Sequence, residues 1–163
     1  MRRMRATIAL AGMILAGAFT LLGAQAAVAA CNEDALALRG DWGQMRFSVQ
    51  VADDDPERSR GLMFVEEMAN SAGMLFVFDP PRSVSFWMKN TLIPLDMIFT
   101  DRTGTVVHVH SNAVPGDLTP IPGGDDIYTV LEINGGLAER YGIAEGTVMQ
   151  HPVYGAQAAW PCE

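Results

Sequence analysis

Pro94-Leu95-Asp96-Met97-Ile98-Phe99 runs into the turn Asp101-Arg102-Thr103-Gly104 and leaves it through Thr105-Val106-Val107-His108-Val109-His110. Leu95, Met97 and Phe99 hold one phase of a period-two pattern and Asp96 the other. Two such runs joined by a turn carrying Asp and Gly predict a β-hairpin. The chain before it repeats the theme. In Ser83–Lys89, Val84, Phe86 and Met88 alternate with Ser85, Trp87 and Lys89, while Met74–Phe78 is a continuous apolar run that reads as a buried strand. Further upstream, Leu36 and Leu38, a turn at Asp41-Trp42-Gly43, and Met45, Phe47, Val49 and Val51 predict another hairpin.

Two short helices interrupt the strands. Asp55-Pro56 supplies an N-cap and a first-turn proline for a helix carrying Glu57, Arg58 and Arg60. Asn134 is placed to cap a second helix through Leu137–Tyr141, with Gly142 as its C′ residue. Pro115, Gly116, Pro120, Pro122, Gly123 and Gly124 predict a long loop from Ser111 to Asp126, before strands at Ile127–Ile133 and Thr147–Val153. About seven or eight strands with hairpin-length links imply a mainly β, β-rich α+β fold. The expected architecture is a small, mostly antiparallel barrel or folded-over sandwich with two short helices.

Met1-Arg2-Arg3-Met4-Arg5, an uncharged apolar run from Ala6 to Gly23, and small residues at Ala24–Ala30 follow the order of a secretory leader. Residues 1–26 are read as a signal peptide and 27–163 as one β-rich domain. The competing reading is a membrane anchor over the same apolar run. The expected location is periplasmic or extracellular. The whole chain has a formal net charge of −8, with 11 basic and 19 acidic residues. Loss of Arg2, Arg3 and Arg5 makes the remainder more acidic still. Such a surface repels phosphate backbones, so nucleic acid is excluded as a partner.

Cys31 and Cys162 flank the expected domain, and in an oxidising compartment they are read as a disulfide joining its ends. Val28-Ala29-Ala30-Cys31 also looks like a lipobox, and only a lipidated Cys31 would bring the chain to a membrane. The copies of Gly-x-Ser-x-Gly, His-Glu-x-x-His, Walker or Cys-x-x-Cys signatures that would announce an enzyme do not occur. No cofactor is implied. His108 and His110 share one side of a strand and could begin a metal site with His151 or Asp96, although solvated strand histidines explain them as well.

Arg60-Gly61-Leu62-Met63, Gly73–Phe78, Trp87-Met88-Lys89-Asn90-Thr91, Pro94–Phe99, Val130–Gly135 and Gly146-Thr147-Val148 together resemble a widespread prokaryotic family, domain of unknown function 192, over residues 45–151. The resemblance implies a compact β-rich domain with short helices and names no reaction.

Inside these strings stand Arg60, Trp87, Lys89, Asn90, Asp96 and Glu132. Lys89 is the chain's only lysine. Brought to one rim, these residues would bind a small anionic or zwitterionic ligand or a protein partner. An enzyme using Lys89 with Asp96 or Glu132 as an acid–base pair, and a structural or envelope-assembly protein, are the alternative readings.

Overall fold

The computed structural model describes residues 31–162. Seven strands form one sheet: β1 (Ala35–Gly40), β2 (Gly43–Ala52), β3 (Ala72–Phe86), β4 (Leu95–Thr100), β5 (Val106–Ala113), β6 (Ile121–Asn134) and β7 (Val148–Gln150). They lie in the order β5-β4-β6-β3-β2-β1-β7. Every pairing is antiparallel except β2 with β3, which the short helix α1 (Asp55–Arg60) connects. The sheet curls into a half-barrel, and its outer strands meet at one end through a Thr105–Val148 bridge. There the Val106 N–H donates to the Thr147 carbonyl at 2.8 Å and the Met149 N–H to the Gly104 carbonyl at 2.8 Å. The mainly β, mostly antiparallel barrel-like expectation therefore holds.

The middle strands are buried on both faces, which explains their unbroken apolar runs. Leu75 and Val77 of β3, Ile98 of β4, and Leu131 and Ile133 of β6 enter one core with Leu36, Leu38 and Phe47. The intervening residues Phe76, Phe78, Met97, Phe99 and Val130 enter a second core. The helix α2 (Leu137–Tyr141) and Tyr154 cover the first through Leu137, Ala138 and the tyrosine ring. Loops cover the second, through Leu62, Val65, Met68, Met88 and Ile93.

Both predicted hairpins form. Gly40 faces Gly43 across the β1–β2 turn. In the β4–β5 turn, Asp101 Oδ1 accepts the N–H groups of Thr103 at 2.8 Å and Thr105 at 3.0 Å. Several details differ from the sequence reading. Met74–Phe78 and Ser83–Phe86 belong to one long strand, whose pairing with β6 carries register shifts around Arg82 and Val84. The expected 111–126 loop is much shorter, because β5 runs to Ala113 and β6 begins at Ile121 despite Pro122-Gly123-Gly124. Gly123 is needed there, since a Cβ would lie 2.3 Å from the Phe99 ring. The last strand ends at Gln150 rather than Val153, because Pro152 opens a third short helix, a 3-10 segment over Pro152–Gln157. The N-cap of α1 is Asp54 rather than Asp55; its side chain accepts the Glu57 N–H at 2.8 Å.

Cys31 and Cys162 are joined, with Cα atoms 5.7 Å apart. The sulfur a lipid anchor would require is therefore occupied. The leader read at residues 1–26, and the alternative anchor in the same segment, lie outside the described residues. Among the described residues no helix is long and apolar enough to cross a membrane.

Candidate functional site

Where the covering loops part, a cleft of about 660 Å³ opens over the second core. Its floor follows from strand register. Glu132 of β6 lies opposite Met74 of β3 and Met97 of β4, on the face that also carries Val130. A carboxyl group is thus placed in the apolar phase of a central strand. Its side chain lines the cleft but is only 4% exposed. No hydrogen bond or ion pair from another described residue reaches it. Burial alone pushes its pKa from 4.5 up to about 8, so at neutral pH the group is mostly an uncharged acid and a hydrogen-bond donor.

The walls carry the opposite charge. Arg58 and Arg60 come from α1, Arg82 from the irregular middle of β3, and Lys89 from the segment after β3. Arg58 is committed to the scaffold: it pairs with Asp55 at 2.5 Å and donates to the Val77 carbonyl at 2.8 Å. That pairing, with a smaller pull from Arg82, holds the carboxyl of Asp55, which also lines the cleft, below its usual pKa. The other three have no carboxylate within ion-pair distance among the described residues. Arg82 lies 5.1 Å from the Phe78 ring centroid, and the Lys89 Nζ lies 5.1 Å from that of Trp87. Aromatic faces attract such cations without neutralising them. Phe76, Phe78 and Phe86 complete the wall, with edge-to-face contacts of Phe86 to Phe76 at 5.2 Å and to Phe78 at 6.3 Å.

Of the residues singled out in the sequence, Arg60, Trp87, Lys89 and Glu132 therefore line one cleft. Asn90 stands beside it, not in it. With φ of 57°, it lends its carbonyl to the Phe64 N–H at 2.9 Å. Asp96 corrects the sequence reading outright. It is fully buried on the first-core side of β4. Its Oδ1 accepts the N–H groups of Asn112 at 2.7 Å and Gly136 at 2.9 Å, and its Oδ2 that of Ala138 at 2.7 Å. It is the side-chain cap of α2, the role expected of Asn134, and it shares no rim with Lys89. The Asn134 Nδ2 instead donates to the Met68 carbonyl at 2.7 Å.

The histidines also part. His108 stacks on Phe99 at 5.4 Å, whereas His151 is buried elsewhere. The His151 Nε2 donates to the Glu33 carbonyl at 3.0 Å and its Nδ1 accepts the Val153 N–H at 3.2 Å. That bonding pattern fixes a neutral tautomer, and burial lowers the pKa in the same sense. Among the described residues, no three His, Cys, Asp or Glu side chains are grouped to hold a metal ion. Sequence reading missed Arg82 and the phenylalanine wall. Phe76 and Phe78 belong to a run that is apolar throughout, so the sequence does not say which face is left open.

A family model for uncharacterised proteins, DUF192 (uncharacterized ACR), matches residues 37–151. The fold is similar to a crystal structure of a protein of unknown function from Novosphingobium aromaticivorans, with 42% identity and a TM-score of 0.69 over 71% of this chain and 82% of that one. It is similar also to a Sinorhizobium meliloti protein described as a candidate transcription regulator, with 36% identity and a TM-score of 0.70 over 74% of this chain and 94% of that one. No curated protein matches the chain.

Proposed function

The chain belongs to the DUF192 family, and we propose that it is an exported binding protein whose cleft takes a small anionic ligand. One observation carries this reading: Arg60 and Lys89, which have no carboxylate partner among the described residues, and Arg82 line a cleft with a Glu132 that burial keeps uncharged. Arg60, Arg82 and Lys89 are themselves exposed, so their pull on an incoming anion comes from their convergence on one cleft and from charge-assisted hydrogen bonds rather than from burial. An uncharged Glu132 adds an O–H donor where an ionised one would repel the ligand. The volume lies within the usual range for small-molecule sites, roughly 300–1,000 Å³.

The terminal disulfide supports an oxidising compartment outside the cytoplasm, and the leader-like residues 1–26 extend that to the periplasm or the exterior. An acidic protein with one cationic cleft also discriminates against polyanions, which its remaining surface repels.

The test is calorimetric titration of the disulfide-bonded protein with acetate, inorganic phosphate and sulfate, repeated on Lys89→Ala and Arg60→Ala. At least one anion should bind, and each substitution should weaken it by roughly tenfold or more. Absence of binding, or binding indifferent to both substitutions, overturns the proposal.

A further inference from the structure

We propose, resting on the anion reading above, that the ligand is a single-chain amphiphile whose carboxylate head occupies the cleft and whose alkyl or aryl body crosses an apolar rim at its mouth. Six large hydrophobic side chains are exposed among the described residues: Phe64, Trp87, Leu92, Val107, Val114 and Leu118. All but Val107 stand on three neighbouring loops. Those loops are knitted by backbone bonds from Phe64 N–H to the Asn90 carbonyl at 2.9 Å, Met88 N–H to that of Asp117 at 2.9 Å, and Gly116 N–H to that of Met88 at 3.0 Å. Trp87 is half exposed and also lines the cleft, so the rim and the cleft are continuous.

Backbone conformation points the same way. Phe64 and Asn90, bonded to each other, both sit at positive φ, 65° and 57°. For a bulky residue that conformation is unfavourable by about 1–3 kcal/mol. Here it accompanies a phenylalanine ring that is 64% exposed.

Charge selects the head group and argues against a bilayer. Arg60 and Lys89, which make no ion pair among the described residues, line the cleft, while the rim is flanked by the exposed acidic residues Glu66, Glu67 and Asp117. An anionic membrane surface would meet those carboxylates, whereas one anionic head can pass between them to Lys89 and Arg60. Inside, Leu62, Met63, Phe76, Phe78 and Phe86 offer the body an apolar wall.

The experiment titrates the disulfide-bonded protein with acetate, octanoate, decanoate and decyltrimethylammonium, each below its critical micelle concentration. Lys89→Ala and the surface double variant Phe64→Ser/Leu118→Ser are titrated alongside. From acetate to decanoate, affinity should rise about three- to fourfold for each methylene in contact. Lys89→Ala should weaken every carboxylate alike, and the rim variant should flatten the chain-length dependence without touching acetate. Equal affinity for acetate and decanoate overturns the amphiphile and leaves the small-anion site standing. Decyltrimethylammonium binding as tightly as decanoate, or no binding at all, removes both. Self-association of the wild type that the rim variant abolishes would make the rim a contact between copies and overturn the amphiphile.

Discussion

Asp96 and Ala138 are 42 positions apart, yet the Asp96 Oδ2 accepts the Ala138 backbone N–H at 2.7 Å inside the protein. With the Asn112 and Gly136 N–H groups on its other oxygen, this one side chain satisfies donors from the end of β5 and the first turn of α2. Gly136, at the N-cap position, has no side chain to do so.

Asp96→Ala should therefore be strongly destabilising. It leaves three amide donors without their acceptor, and the expected loss is about 3–5 kcal/mol, measured by urea unfolding. Asp96→Asn should lose nearly as much, because its amide group would meet at least one N–H donor with another donor. Anion affinity at the cleft should be unchanged in whatever fraction of either variant stays folded. A stable Asp96→Ala protein with impaired anion binding would restore Asp96 to the site.

Lys89→Ala should behave in the opposite way. The ammonium makes no ion pair among the described residues, and its contact with the exposed Trp87 face at 5.1 Å contributes about 0.5–1 kcal/mol. The urea midpoint should hardly move while anion affinity drops. A loss of several kcal/mol would mean that Lys89 is scaffold.

That contrast shows what was legible in the sequence. Period-two alternation placed Asp96 opposite Leu95 and Met97 correctly. It could not say that the opposite face was also core, or that a helix start 40 residues on would lack its own cap. Both facts depend on how the sheet curls. Of the expected grouping of Arg60, Lys89, Asp96 and Glu132, polar residues that break apolar strings, three line one cleft, as a buried carboxyl and two exposed cations. Arg82 escaped notice because Pro80-Pro81 hid the continuity of β3. The strand carries on through Arg82 with its pairing to β6 shifted. The long Pro/Gly loop was overestimated for a related reason: Gly123 reads as a breaker but serves the close approach of Phe99 to β6.

Glu132→Gln should reshape the pH dependence of stability. The folded pKa, raised to about 8, exceeds the ordinary 4.5. Below pH 4.5 both folded and unfolded chains hold the proton, and the wild type has its full stability. As pH rises toward 8 the unfolded chain releases that proton and the folded one keeps it, so stability falls. Above 8 the slope from this group disappears. Relative to wild type, Glu132→Gln should thus gain stability between pH 4.5 and pH 8, by on the order of 4 kcal/mol if the shift is fully expressed. Urea midpoints at three pH values would measure it. Parallel profiles for the two proteins would show that Glu132 is ionised in the fold.

The same titration predicts how the cleft responds to base. Once Glu132 ionises, it withdraws its donor and places a negative charge beside the bound anion. Wild-type affinity should decline above about pH 8, whereas Glu132→Gln, which keeps a donor, should bind with little change across that range. Calorimetry at pH 6.5 and pH 9 separates them. Equal declines would assign the pH effect to another group.

Reduction of the Cys31–Cys162 bond, or Cys31→Ser with Cys162→Ser, should lower stability without altering the cleft. The bond spans a sequence separation of 131. Releasing a loop of that length frees the unfolded chain by about 5 kcal/mol in the chain-entropy model. The folded ends keep other ties: the Gln150 Nε2 donates to the Pro161 carbonyl at 2.8 Å, and His151 bonds to Glu33. Those ties lie on the β7 side of the sheet, while the cleft is lined from α1, β3, the segment after β3 and β6. The urea midpoint should therefore fall, and the urea slope should steepen as the freed chain exposes more surface on unfolding. Anion affinity measured well below that midpoint should stay as it was. If reduction weakened binding while the protein remained folded, the terminal segments would have to reach the cleft's walls through β2 and β3, and the disulfide would be part of the site's support.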